Sequence, residues 1–218
     1  MKSSVLSVLF ACLFTVPAWS ADYRVEPLAE SPPISELKED IAGKLKTDGV
    51  RIIRGTKTTY CDIWLCKKWD VPADFEPTPE VLYPFEAGQL IGVVRFGRKG
   101  ADFRDQDIAK GVYTIRYSQQ PVDGAHVGTS LIRDCLVLVR AEDEQNAAPT
   151  GNDDLVERSS AAAESGHPGL FSMQHLTSKK FPSMRHTDET DWWILALQGT
   201  GGEKALPIEF VISGVVVE

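Results

Sequence analysis

The sequence predicts a mainly β protein: an antiparallel β-sandwich of the jelly-roll or immunoglobulin-like kind, with one or two short peripheral helices. Three observations lead there. Strand-like runs far outnumber helical ones. They lack the strand–helix alternation that a parallel sheet requires. The 17 Gly and 13 Pro residues punctuate them at irregular spacing, which is turn chemistry.

The chain opens "MKSSVLSVLFACLFTVPAWSADY". Lys2 is a short basic start, residues 5–16 are apolar, and Ala18 and Ser20 are small residues at signal-peptidase spacing. The pattern is that of a secretory leader over 1–21. A membrane anchor would need roughly 20 apolar residues. The expectation is therefore an exported chain, periplasmic or extracellular, with residues 22–218 forming a single domain and no membrane span after cleavage.

Residues 22–33 carry Pro27, Pro32 and Pro33 and read as an extended arm. Ser35 is a candidate N-cap, and Leu37, Ile41 and Leu45 recur every four residues. That spacing predicts a short amphipathic helix over 36–46. "VRIIRG" and "TTYCDIWLCKKW" read as a hairpin turning at Gly55. Four prolines within 70–88 block ladder hydrogen bonds, so this stretch is an irregular crossing, read as passing between sheets. "QLIGVVRF" is the next strand, and a polar loop runs from there to Gly111. In "VYTIRY", Tyr113, Ile115 and Tyr117 share one face, and Thr114 and Arg116 the other. "DCLVLVRA" follows a long connection. Residues 141–154, acidic and small, read as a mobile surface loop. Residues 155–165 read as a helix capped by Asn152 or Asp153. "GLFSMQHL", "WWILALQG" and "PIEFVISGVVVE" complete the strands, and "GTGGEK" reads as a hairpin turn. "CLVLV" and "WWILAL" are apolar on both faces, which predicts central strands covered on both sides.

Residues 102–139, "DFRDQDIAKGVYTIRYSQQPVDGAHVGTSLIRDCLVLV", carry the most distinctive motif. It resembles a family of uncharacterised exported bacterial proteins, in which a Gly-Val-Tyr-Thr-Leu-Arg-Tyr strand precedes Gln-Pro-x-Asp-Gly-x-His-x-Gly and Arg-Asp. The likeness extends to the hairpin over 50–66 and to "LPIEFVISGVVV". It implies a shared fold and no activity. Cys135 stands where that pattern favours an aromatic, which fits a core role for the thiol.

Charge narrows the partners. With 23 Lys and Arg against 31 Asp and Glu, the net charge is −8. An acidic chain repels phosphate backbones, which argues against nucleic acid. The open classes are a small molecule, a glycan or a protein. Three cysteines follow the leader, Cys61, Cys66 and Cys135. A strand from Cys61 to Cys66 would hold their Cα atoms roughly 16 Å apart, whereas a disulfide needs less than about 7 Å. A bridge from Cys135 to either one stays open.

The loop "QQPVDGAHVGTSLIRD", with Arg116 of the strand before it, supplies the candidate ligand-binding residues Arg116, Asp123, His126, Arg133 and Asp134. Asp123-Gly124 and Gly128 supply bends that would hold His126 in place. A metal, if one binds, would use Asp123, His126 and Asp134. The structural alternative is that Asp134 pairs with Arg133 or Arg116, and that His126 merely ties the loop. No recognisable nucleophile accompanies His126, Gly-x-Ser-x-Gly is absent, and no cofactor is predicted. His186 with Asp188 and Asp191 is a weak cation candidate in an exposed stretch. Trp64, Trp69, Trp192 and Trp193 could stack on sugar. The leading expectation is a non-enzymatic binding or structural domain. The alternatives are a metal- or ligand-dependent enzyme centred on His126 and a carbohydrate-binding module.

Overall fold

The computed structural model describes residues 22–121, 132–163 and 165–214. The leader reading over 1–21, and the roles read for Asp123 and His126, fall outside these residues.

The described chain is mainly β and antiparallel. Ten strands form one sheet: β1 (Tyr23–Leu28), β2 (Gly49–Arg54), β3 (Thr58–Leu65), β4 (Leu90–Phe96), β7 (Gly111–Gln119), β8 (Asp134–Arg140), β9 (Leu170–Gln174), β12 (Lys204–Ser213), β11 (Trp192–Gly201) and β10 (Ser183–Thr187), in that spatial order. A two-residue pair, β5 (Gly100–Ala101) with β6 (Asp107–Ile108), lies apart. The expected two-layer sandwich is thus replaced by a single sheet that curls toward a barrel. Its end strands meet through side chains. Tyr23 on β1 packs its ring 5.5 Å from Trp193 on β11, and its hydroxyl accepts from Ser213 Oγ on β12 at 3.1 Å. Periodicity identifies strands but not how far a sheet coils, and coiling decides between two sheets and one.

Most neighbours in the sheet are also neighbours in sequence. Gly55, at φ +62°, makes the turn between β2 and β3. A bulge between Ile52 and Ile53 turns Tyr60 inward as well as Cys61. The crossing over 70–88 is irregular as expected, yet it does not change sheets. It leaves β3 and returns to β4, its own neighbour. The extended arm is partly the strand β1, and the exposed stretch around His186 is partly β10, both edge strands that their polar composition disguises.

The interior is filled by side chains. At one end Tyr23, Tyr60, Phe96 and Tyr113 form an edge-to-face chain at centroid distances of 5.1, 5.8 and 6.0 Å. At the other end the crossing inserts Tyr83 and Phe85 against Trp69 and Tyr117. Strand β8 is covered on both faces, as its pattern predicts. Leu136 and Leu138 face the main core, while Cys135, Val137 and Val139 pack with Leu155 of α2 (Asn152–Ala162). The other helix, α1 (Glu39–Lys44), buries Ile41, and Leu45 follows it into the core. It is shorter than 36–46 and starts at Glu39 after the N-cap Lys38, because residues 34–36 form a separate 3-10 turn. Helix α2 begins three residues before the expected 155, with Gly151 rather than Asn152 or Asp153 as N-cap.

All three described cysteines are free and buried. Cys61 and Cys66 belong to the main core and Cys135 to the cluster under α2, so the sheet itself separates them. Burial pushes the thiols of Cys66 and Cys135 up to about 12. Thiolate is the reactive form. Alkylation of the folded chain by iodoacetamide should therefore leave all three unmodified, and alkylation in urea without reductant should label all three. Mass spectrometry finding only one labelled in urea would contradict free thiols.

Candidate functional site

The residues that the sequence singled out separate onto opposite faces of β7. Tyr117 points into the barrel, and Arg116 points outward beneath residues 141–151. There Arg116 is fully buried, and each of its five N–H groups has a partner. Nε and one Nη2 hydrogen reach Glu144 at 2.6 and 3.1 Å. The others reach the carbonyls of Gly88, Ala148 and Asn146 at 2.7 to 2.8 Å. Thr114 Oγ1 also donates to Glu144, and Ser118 Oγ bonds Asn152 at 2.6 Å. The polar face of β7 is therefore matched, residue by residue, to the segment over 141–152. That segment, expected to be a mobile loop, is strapped to the barrel. Gly88 serves the same contact: at φ +78° it lies so close to the Thr150 backbone that a Cβ would collide with it.

Asp134 is buried on the inward side and pairs with neither Arg133 nor Arg116. The Tyr117 hydroxyl donates to its Oδ1, and the Leu82 N–H donates to its Oδ2 at 2.5 Å. Gln119 Nε2 donates to the Tyr117 hydroxyl at 3.0 Å. Burial lifts the Asp134 carboxyl above the ordinary aspartate value, against the pull of Tyr117 and of the Leu82 and Tyr83 N–H groups. Arg133 closes the base of the long connection: its Nε donates to Gln120 O at 3.0 Å, and its N–H donates to Glu80 O at 2.9 Å. Arg133 and Asp134 together fasten the crossing to the barrel. Tyr117, which bonds Asp134, was visible in the sequence only as a strand residue, and Gln119, which bonds Tyr117, only as the start of the loop.

A second buried carboxylate, Glu209 on β12, anchors the chain after β9. It accepts from the N–H groups of Thr177 and Ser178 at 3.0 and 2.6 Å, and from Arg185 at 3.2 Å. Burial would raise its carboxyl, but the N–H donors outweigh that and hold it below the ordinary value. His186 lies with its ring 4.7 Å from Trp193, Nδ1 3.1 Å from Asp188 and Nε2 2.7 Å from Asp191. Among the described residues no group of three or more His, Cys, Asp or Glu is arranged to hold a metal ion.

The open space lies elsewhere. The crossing arches over the turn between β11 and β12 and leaves a cleft of about 520 Å³. Val71, Phe75, Pro77, Leu82, Pro84 and Leu206 give it an apolar wall. Glu203 and Lys204 sit at its rim, where Glu203 is paired with Lys68. The proline cluster signalled an irregular path but not this hollow, which exists only because the path crosses the β11–β12 turn. Comparison with protein-family models, with curated proteins and with solved structures yields no match.

Two stability predictions follow from the clamps. Arg116→Ala should cost about 3–5 kcal/mol, because it leaves Glu144 buried with reduced compensation. The shift in urea midpoint measures this, and a loss below about 1 kcal/mol would contradict the clamp. The two carboxylates should respond oppositely to pH. Glu209, depressed in the folded state, contributes stability above its ordinary value and loses it as pH falls through the folded value. Asp134, raised in the folded state, contributes fully below its ordinary value and loses that as pH rises through the folded value. Urea midpoints across the acid range should therefore show the deficit of Glu209→Gln shrinking as pH falls. Over the same range, Asp134→Asn should improve relative to wild type as pH rises.

Proposed function

We propose that this is an exported, non-enzymatic binding protein, and that it holds a small apolar or aromatic carboxylate in the cleft beneath the proline-rich crossing. The observation that carries the reading is the apolar character of that cleft. Its volume of about 520 Å³ falls within the roughly 300–1,000 Å³ of small-molecule sites. The clefts beside Asp40, Gly111 and Trp192 are lined more heavily by charged groups, and the one beside Pro27 holds only about 190 Å³. Charge complementarity selects the ligand's polar end. Glu203 is spent on Lys68, and Lys204 forms no ion pair among the described residues, so one positive charge faces the opening. Prolines at 72, 77 and 84 stiffen the wall, which reduces the entropy lost on binding.

Export is supported by the leader pattern of residues 1–21 and by the motif likeness over 102–139. The enzyme alternative centred on His126 draws less support. Both Asp134 oxygens already accept hydrogen bonds, and Arg116 has no donor left for a ligand.

Titration with anilinonaphthalene sulfonate, an aromatic anion, tests the reading. Wild type should give a saturable single-site rise in fluorescence. Ala73→Trp, at an exposed wall position, should fill the cleft and abolish the rise while leaving the circular dichroism spectrum unchanged. Lys204→Glu should weaken binding about three- to tenfold at low salt, and less as salt is added. Binding that Ala73→Trp leaves untouched would refute the assignment.

A further inference from the structure

We propose that the outer face of β9, β10 and β11 carries a second binding site, which takes a neutral pyranose residue stacked on Trp192. This site shares no lining residue with the apolar cleft and does not depend on it.

The four tryptophans after the leader separate cleanly. Trp64 is fully buried, with its indole N–H donated to Glu30 O at 2.8 Å and Arg95 over its ring. Trp69 is also buried and donates to Ile91 O at 3.0 Å. Trp193 is wedged between His186 and Tyr23. Trp192 is left half-buried on the outside, lining a shallow cleft of about 460 Å³ with Gln174, Arg185, Thr187, Glu189 and Thr190. Its pyrrole edge rests on Gly214, where any Cβ would come within 2.5 Å of the ring. That glycine gives the ring its seat.

Two features mark the cleft as a site rather than a dent. First, Arg185 Nε and Trp192 Nε1 are both buried, and neither has a hydrogen-bond partner among the described residues. An unmet buried donor is costly, and the clefts beside Pro27, Asp40 and Gly111 and beneath the crossing are lined by none of these groups. Second, the polar groups are held in place before any ligand arrives. Arg185 is fixed by Glu209 at 3.2 Å, Gln174 by Ser172 at 3.2 Å, and Thr187 by Thr190 at 2.7 Å.

The charges choose the ligand class. Arg185 disfavours a cation over the indole. Asp188 and Glu189 disfavour an anion. A neutral polyhydroxylated ring satisfies all of them: its oxygens accept from arginine and its hydroxyls donate to the carboxylates. Its C–H face covers the indole, an apolar body with directional polar neighbours.

Isothermal titration with cellohexaose and with maltohexaose tests this on the folded chain. Wild type should release heat with at least one of them. Trp192→Ala should abolish it. Trp192→Phe keeps a smaller stacking face and should bind about five- to tenfold more weakly. Ala73→Trp, in the other cleft, should bind as wild type does. No heat from wild type with either sugar overturns the proposal, as does unchanged binding by Trp192→Ala. If circular dichroism shows Trp192→Ala unfolded, unweakened binding by Trp192→Phe overturns it instead.

Discussion

Everything in this fold depends on hiding the two edges of one long sheet. Ten antiparallel strands laid flat would expose unpaired backbone at β1 and β10, an invitation to aggregate. The sheet coils until those edges face each other, and aromatic rings close the gap: Tyr23 against Trp193, with His186 beyond. Coiling also creates an inside. It is filled by Tyr60, Phe96 and Tyr113 toward one end and by Trp69, Phe85 and Tyr117 toward the other. A filled barrel leaves binding to its ends and its outer wall, which is where the open clefts lie.

Polar clamps hold the rest of the chain to the barrel, each fastening one excursion. Arg116 straps the segment over 141–151, Asp134 and Arg133 fasten the crossing, and Glu209 fixes the chain after β9. Asp62 does the same on β3, held by Arg51 at 2.6 Å and Arg95 at 2.7 Å, with Glu30 of the arm 2.8 Å from Arg95. Arg116, Asp134, Glu209 and Asp62 are buried as active-site groups often are, yet their partners belong to the same fold. Saturated donors and acceptors distinguish a clamp from a site. By that criterion Arg116 and Asp134 serve as clamps, whereas Arg185 Nε and Trp192 Nε1 have no partner among the described residues.

Much of the local structure was legible in the residues. Alternation in "VYTIRY" put Tyr113, Ile115 and Tyr117 on one face and Arg116 on the other, and the double-sided apolar run "CLVLV" announced cover on both sides, one of them supplied by α2. Gly55 and "GTGG" marked their turns. What escaped was long-range. Nothing in "SMRHT" says it is an edge strand, because an edge strand needs little apolar character. Nothing in "AEDEQNAAP" says it lies strapped to β7, because its anchors are carbonyls and one glutamate that finds its arginine only in the fold. The apolar cleft was hidden for the same reason. Histidine, aspartate and glycine in one loop attract notice in a sequence, whereas a cleft made of prolines and a distant leucine does not.

The central claim is that binding occurs beneath the crossing, over a barrel with no room inside. The most direct measurement is a backbone amide chemical-shift titration of the folded chain with anilinonaphthalene sulfonate. The account predicts saturable shifts confined to the amides of residues 71–84 and 201–206. Shifts centred on residues 120–134, or spread through the inward-facing positions of the barrel strands, would contradict it.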